Sequence, residues 1–512
     1  MSTSTDELFF YKINKKCAVV LRKGDIMAIK YHSTRNPKLT ATASEAILNG
    51  IAPDGGLYVP EQIPKLKLTF EALAKMDYAH VAYEVMKLFF TDFTEDELMA
   101  CIKGAYNPEK FDTEDITTLV QAGDVYFLEL FHGRTIAFKD MALSILPYLM
   151  TTAAKKCGAK EEIVILTATS GDTGKAALAG FADVPGTSIV VFYPKHGVSR
   201  VQEKQMVTQR GKNVNVIGIE GNFDDAQTAV KAMFTDEKLA ERMKAKGYRF
   251  SSANSINIGR LVPQVAYYVY AYSRLMPKEI NFVVPTGNFG NILAAYYAYK
   301  MGVPVHKLIC ASNRNKVLTD FFETGVYDRN REFYLTSSPS MDILISSNLE
   351  RLIYEISGDK TASFMKDLKE KGRYEISPEM KSKLNIFVGG YAEDKDMEQA
   401  IADLYKKEEY IIDTHTAVAA AVYSAYRKET GDETCTVIAS TASPYKFTRA
   451  VLNSIDPAFD KKDDFELFDE LNRLSGVPIP QAINDIISAP VLHDTVCSKD
   501  GLEKEVERIY NL

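Results

Sequence analysis

The chain has 512 residues, 46% hydrophobic and 25% charged, with 61 basic against 68 acidic side chains for a formal charge of −7. One hydrophobic core stops growing at about 250–300 residues, so this length requires two or more domains. The acidic balance argues against a nucleic-acid footprint, and no apolar run approaches the roughly 20 residues of a membrane helix.

Residues 1–26 contain no long apolar segment and no cleavage signature, so they do not read as a signal or transit peptide. Met27 stands just before recognisable pattern begins, which makes it the expected native start and 1–26 a leader or non-native extension. Residues 27–112 read as mainly helical. The run Ser44–Leu48 ends at Gly50, a good C-cap residue, Pro53–Gly56 marks a tight turn, and Val81–Phe90 repeats apolar positions at helical spacing.

From Glu162 the pattern becomes strand, loop and helix, repeated. Short apolar runs at Ile163–Leu166, Ser188–Phe192, Val214–Ile219, Asn281–Val284, Leu308–Cys310 and Thr436–Ala439 read as buried strands. Such runs alternating with helices imply an α/β fold with a parallel sheet covered on both faces. The polar stretch Tyr374–Glu398 is the nearest thing to a linker. The six cysteines (Cys17, Cys101, Cys157, Cys310, Cys435, Cys497) include no C-x-x-C pair, which suits reduced cytosolic thiols and not a zinc site or disulfide framework.

Two loops have the chemistry of anion cradles. Ala168-Thr169-Ser170-Gly171-Asp172-Thr173-Gly174 follows a strand and opens a helix, where glycines admit a ligand and the helix N-terminus favours negative charge. A plain turn with Ser, Asp and Thr as caps is the structural alternative. A nucleotide P-loop would need glycine at 169 and Ser or Thr at 176, and the chain has Thr169 and Ala176. Pro285-Thr286-Gly287-Asn288-Phe289-Gly290-Asn291 repeats the same physics after a later strand. One such loop is weak evidence, whereas two suggest two anionic groups. Lys139 follows the apolar Ile136-Ala137-Phe138, which would desolvate its amine and lower its pKa as Schiff-base chemistry requires. Alone it is one lysine among many. With two phosphate cradles it points to a phosphorylated aldehyde cofactor.

The motifs H-G-x-T-x-A-F-K-D, A-T-S-G-D-T-G, P-x-G-N-F-G-N and S-T-A-x-P-x-K-F, in this order, resemble the threonine synthase family. Tyr31–Arg35, Asp54–Pro60, Ala253–Asn257, Ser340–Leu344 and Asp413–Ala417 support it, so the resemblance runs from Tyr31 to at least Arg449. The His-Gly leader to the lysine and the Phe-containing loop distinguish it from dehydratases and cysteine-forming relatives of the same fold. The resemblance implies pyridoxal-phosphate fold type II (tryptophan synthase beta-like), with two doubly wound domains and the active site between them. A large cofactor domain would comprise 113–155 and 275–460, a small substrate-phosphate domain 156–274, and 461–512 a helical C-terminal segment.

The implied roles follow. Lys139 would carry pyridoxal 5'-phosphate and later act as the proton-transferring base. Gly287, Asn288, Phe289 and Asn291 would hold the cofactor phosphate, and Thr441 would face the pyridine nitrogen. Thr169, Ser170, Asp172 and Thr173 would receive O-phospho-L-homoserine, with Asn254, Ser255, Asn257 and Arg260 completing the substrate site. Asn254 and Ser255 as caps of the next helix are the structural alternative, and Lys195, His196 and Arg200 fit a solvated face equally well. His132 and His415 read as hydrogen-bonding structural residues. Ser443 stands where some members carry histidine, close to Thr441. The implied reaction is γ-elimination of phosphate followed by β-addition of water, giving L-threonine in the cytoplasm, with no metal, nucleic acid or membrane partner. A phospho-amino-acid lyase and a catalytically silent binding paralogue are the alternatives, and the sequence leaves monomer or dimer open.

Overall fold

The computed structural model describes residues 29–512 apart from Ser170 and Ser199, so the reading of 1–26 and Met27 lies outside the described residues. Two sheets organise the chain. The larger has strand order Phe387–Tyr391, Val305–Ser312, Ile280–Pro285, Cys435–Ser440, Val125–Glu129, Thr118–Ala122. All its neighbours are parallel except the last pair, an antiparallel edge hairpin. The smaller runs Val496–Ser498, Val214–Glu220, Thr187–Pro194, Glu162–Ala168, Tyr248–Ser251 and is parallel throughout. The α/β architecture with two covered sheets is therefore the observed one. Every residue of Thr187–Pro194 and Ile280–Pro285 is buried, which is why these strands read as continuous apolar runs.

Several elements depart from the sequence reading. The N-terminal region is not purely helical, because Tyr31–Ser33 pairs antiparallel with both Thr40–Ala41 and Tyr58–Pro60. Its helices have the expected punctuation: Thr42 and Glu45 form a capping box on Ala43–Asn49, and Gly50 ends it at φ 72°. The stretch 374–398 is no linker, since it supplies the edge strand Phe387–Tyr391. The C-terminal segment is not only helical, since Val496–Ser498 extends the smaller sheet and Leu502–Tyr510 packs against Phe223–Thr235.

The long helix Ile258–Leu275 packs on Gly290–Met301 and Tyr78–Phe89, so it sides with the larger sheet and the N-terminal region. A continuous apolar core joins Ile47, Leu146, Val262, Tyr297 and Val284. Parallel strands present their loops at their carboxyl ends, where α/β folds bind ligands. Both cradles leave such ends, at Ala168 and Pro285.

Candidate active site

The lysine segment is stapled to the strand Cys435–Ser440 as it ends. Phe138 N donates to Thr441 O at 2.8 Å, Ser443 N donates to Ile136 O at 3.0 Å, and Ala137 bridges Ala442. Ile136 is held at φ 51°, a conformation a β-branched residue adopts only when its surroundings impose it. Asp140 fixes the turn by accepting from Thr135 N at 2.7 Å and Thr135 Oγ1 at 2.6 Å. These restraints aim Lys139 Nζ between Asp172 Oδ2 at 3.3 Å and Ser340 Oγ at 3.2 Å. Burial pushes the Lys139 ammonium below its usual pKa, with Lys446 and Arg260 acting the same way and Asp172 opposing them.

Asp172 begins the helix Asp172–Phe181 on the smaller sheet, yet its partners come largely from elsewhere. Oδ2 accepts from Lys139 and from Ser340 Oγ at 3.1 Å; Oδ1 accepts from Gln202 Nε2 at 3.0 Å and lies 3.2 Å from Lys446 Nζ. Burial would raise this carboxyl, but Lys446 and Lys139 hold it far below the usual range. Lys446 also donates to Thr135 O at 2.9 Å. Ser340 N donates to His415 Nε2 at 3.1 Å, so that nitrogen carries the lone pair and Nδ1–H faces Asp413 Oδ2 at 2.9 Å. His415 is thus a hydrogen-bonding support, as the sequence suggested.

The first cradle is a closed turn. Thr169 Oγ1 accepts from Gly171 N at 3.0 Å and Gly174 N at 2.9 Å, and a Cβ on Gly174 would lie 2.3 Å from Thr169 Cγ2. The Thr169 side chain thereby shapes the loop, while Thr173 is half-buried and Ser170 lies outside the described residues. Asn257 similarly serves its own segment. Its amide donates to Ile47 O and Ser252 O, both at 2.9 Å, and its oxygen caps Ile258–Leu275 by accepting from Gly259 N. The cap of that helix is therefore Asn257, and neither Asn254 nor Ser255. Asn254 is exposed and Ser255 partly so. Arg260 is buried: one nitrogen donates to Ala253 O at 2.7 Å, and its Nε has no partner among the described residues. Burial lowers this guanidinium to about 10.

In the second cradle, a Cβ on Gly287 would lie 2.5 Å from Ser340 O, so glycine alone permits this approach. Phe289 sits at φ 63° and turns the chain into Gly290–Met301, whose leading amides have no intrahelical acceptor. Asn288 is exposed. Asn291 is buried, its oxygen taken by the hydroxyls of Tyr267 and Tyr268, while its Nδ2 donor has no partner among the described residues. A glycine-gated row of amides with an unsatisfied buried donor fits a phosphate, and the desolvated Lys139 amine fits an aldehyde. Thr441, buried beside the lysine segment, completes a set that fits pyridoxal phosphate.

Charge adds a further constraint. Lys175, partly buried, is lowered to about 8 by desolvation and then by Lys446, and donates to Gln209 Oε1 at 2.7 Å. Four cations, Arg260 and Lys446 buried and Lys139 and Lys175 partly so, thus gather near the buried carboxyls of Asp140 and Asp172. By contrast Lys195 pairs with Glu203 and Arg200 with Asp463 at partly exposed positions, matching a solvated face. Ser340, Gln202 and Lys446 received no role from sequence reasoning. Ser340 and Lys446 lay inside quoted motifs, but only the fold brings them to one carboxylate.

Comparison with known proteins agrees with this geometry. The family model for the threonine synthase N terminus matches residues 30–106, that for pyridoxal-phosphate dependent enzymes 112–441, and that for the threonine synthase C-terminal region 416–487. The threonine synthase of Eremothecium gossypii is 34% identical over 88% of this chain and 93% of its own. The crystal structure of PLP-bound threonine synthase from Brucella melitensis matches at 35% identity and TM-score 0.82, covering 94% of this chain and 98% of that one. Yeast threonine synthase matches at 31% identity and TM-score 0.84, over 95% and 99% respectively.

Proposed function

Because the chain belongs to the threonine synthase family of pyridoxal-phosphate enzymes, we propose that it converts O-phospho-L-homoserine and water to L-threonine and inorganic phosphate. The observation that carries the choice of substrate is the excess of buried and partly buried positive charge around Lys139, Lys175, Arg260 and Lys446. One phosphate belongs to the cofactor, and the remaining charge suits a second on the substrate. No helix among the described residues is long and apolar enough to cross a membrane, and we place the reaction in the cytoplasm.

Bound pyridoxal phosphate supplies an electron sink that weakens bonds at the substrate's Cα and Cβ. Gly287, Asn288, Phe289 and Asn291 would hold its phosphate and Thr441 its ring nitrogen. Lys139 Nζ, whose burial favours the neutral amine, takes the Cα proton and then a Cβ proton. Asp172 and Ser340 hold that nitrogen in place between transfers. With Lys139 giving up each proton in turn, the Cγ–O bond breaks as phosphate leaves, a proton adds at Cγ, water adds its hydroxyl at Cβ, and Cα regains a proton. Arg260, Thr173, Asn254 and Ser255 are assigned to the substrate, and Arg260 has the strongest claim because a buried donor without a partner awaits an acceptor. Thr169 and Asn257 act by fixing the loops that carry those groups.

The test is phosphate release together with threonine detection from O-phosphohomoserine, with wild type and Lys139→Ala. Wild type forms both products and the variant forms no threonine. Full-rate threonine formation by the variant, or 2-oxobutyrate with ammonia from the wild type, would overturn the assignment.

A further inference from the structure

Arg351 is fully buried, and its hydrogen bonds go to neutral oxygens in three separate segments. Nε donates to Tyr58 O at 3.0 Å, in the N-terminal sheet. One terminal nitrogen donates to Ile256 O at 2.6 Å, inside the Asn254–Asn257 turn assigned to the substrate. The other donates to Asn348 Oδ1. Asn348 then grips the cofactor loop, with its N at 3.1 Å and its Nδ2 at 3.0 Å from Asn288 O, while Ser346 Oγ donates to Gly287 O at 2.7 Å. Two successive carbonyls of the cofactor loop are tied to this segment, which fixes the orientation of the peptide units whose amides lead into the helix.

The neighbouring Glu350 does not neutralise Arg351 through contact. Its carboxylate accepts from Arg35 at 2.8 and 2.9 Å and from Thr34 Oγ1 at 2.6 Å, locking the Tyr31–Arg35 motif to the same helix. A buried guanidinium spent on carbonyls is expensive unless its planar fork meets a specific geometric need. Here the need is spacing.

Resting on the function proposed above, we infer that Arg351 is a positioning residue that sets the separation of the cofactor loop from the substrate turn, so that affinity for pyridoxal phosphate and for the phosphorylated substrate depends on one side chain. It touches neither ligand's assigned residues directly except through Ile256 O and the Asn348–Asn288 link. The Tyr31–Arg35 and Asp54–Pro60 motifs, which no catalytic role had absorbed, serve as the abutment for this brace.

The test compares Arg351→Lys and Asn348→Ala with wild-type enzyme. Readouts are the visible absorbance of bound cofactor on titrating apoenzyme with pyridoxal phosphate, KM and kcat for O-phosphohomoserine at saturating cofactor, and the thermal melt. Lysine keeps the charge but loses the fork, so cofactor affinity falls by about tenfold or more and KM rises by a similar factor, both changing more than kcat. Asn348→Ala leaves the Ile256 contact and weakens the cofactor while KM stays within about twofold of wild type. Unchanged cofactor affinity in either variant, or both variants shifting cofactor affinity and KM by the same factor, would overturn the inference. Should Arg351→Lys fail to fold, Asn348→Ala decides it by the same criterion. A wild type that binds no cofactor or makes no threonine would instead sink the proposed function.

Discussion

Substituting Gly287 by alanine tests the cofactor cradle where the structure leaves least room. The new Cβ would lie 2.5 Å from Ser340 O, against about 3.5 Å for a comfortable contact. One side must give by about an ångström, and neither is free to move. Ser340 is held by His415 through its amide and by Asp172 through its hydroxyl, and Gly287 O is held by Ser346 Oγ. Overpacking of this kind costs about 1–3 kcal/mol. If the backbone resists, the cost appears as a lower melting temperature of the apoenzyme. If the loop yields, the amides leave their places and pyridoxal phosphate binds about 5- to 150-fold more weakly. The assay is absorbance titration of the apoenzyme with cofactor beside a thermal melt of the same sample. A Gly287→Ala enzyme that matches wild type in both would refute the assignment of this loop as a tightly built phosphate cradle.

Lys446→Met removes the cation that most strongly holds Asp172 ionised, so burial drives the carboxyl upward and the acid limb of kcat/KM moves toward neutral pH, with activity down by about tenfold or more; an unmoved limb counts against the role given to this pair. His132 is partly buried, which opposes its charge, yet Asp112 and Glu129 push it up to about 9. A histidine raised in the folded state stabilises fully below about pH 6.5 and loses that contribution as pH rises through 9. Melting temperatures measured across that window should fall more steeply for wild type than for His132→Gln, and parallel curves would exclude it. O-acetylhomoserine, which offers Arg260 no dianion, should have kcat/KM at least about a hundredfold below the phosphorylated substrate; comparable values would remove the phosphate assignment.

The strands legible in the sequence are those buried on both faces. Ile163–Leu166, Ser188–Phe192 and Asn281–Val284 each lie within an observed strand because a parallel sheet covered by helices selects continuous apolar runs. Apart from Val125–Glu129, which is paired on both sides, the missed strands of the two large sheets lie at edges. Tyr248–Ser251 is short and contains Arg249, while Phe387–Tyr391 carries two glycines that read as a loop. Those glycines are there for packing: a Cβ on Gly389 would meet Thr319 Cα at 2.9 Å, and one on Gly390 would meet Val422 at 2.5 Å. The glycine loop 285–291 and Lys139 stand out in the sequence because each is a local pattern. Ser340, Lys446 and Arg351 act through contacts across 95 to 311 residues of sequence separation, and no local spacing encodes such a meeting.

The same contacts explain why the site is at once costly and selective. Asp172 comes from the smaller sheet, Lys139 and Lys446 from segments stapled to the larger one, so their ion pairs tie the two sheets together. Arg260 and Lys175 add positive charge with lowered proton affinity, the signature of cations that burial has not fully compensated. Burying cations without full compensation costs stability, and under the proposed function the phosphate groups of cofactor and substrate would offset that cost. On that reading, part of a phosphate's binding free energy would be recovered electrostatic strain of the protein, available only to an anion that reaches Asn291 Nδ2 and Arg260 Nε, buried donors without a partner among the described residues. A neutral analogue of the same shape leaves those donors unsatisfied and the cations unrelieved. Under the proposed function, selectivity for phosphorylated ligands would follow from these buried donors and cations, and the weak point of the apoenzyme and the source of its specificity would be one set of residues.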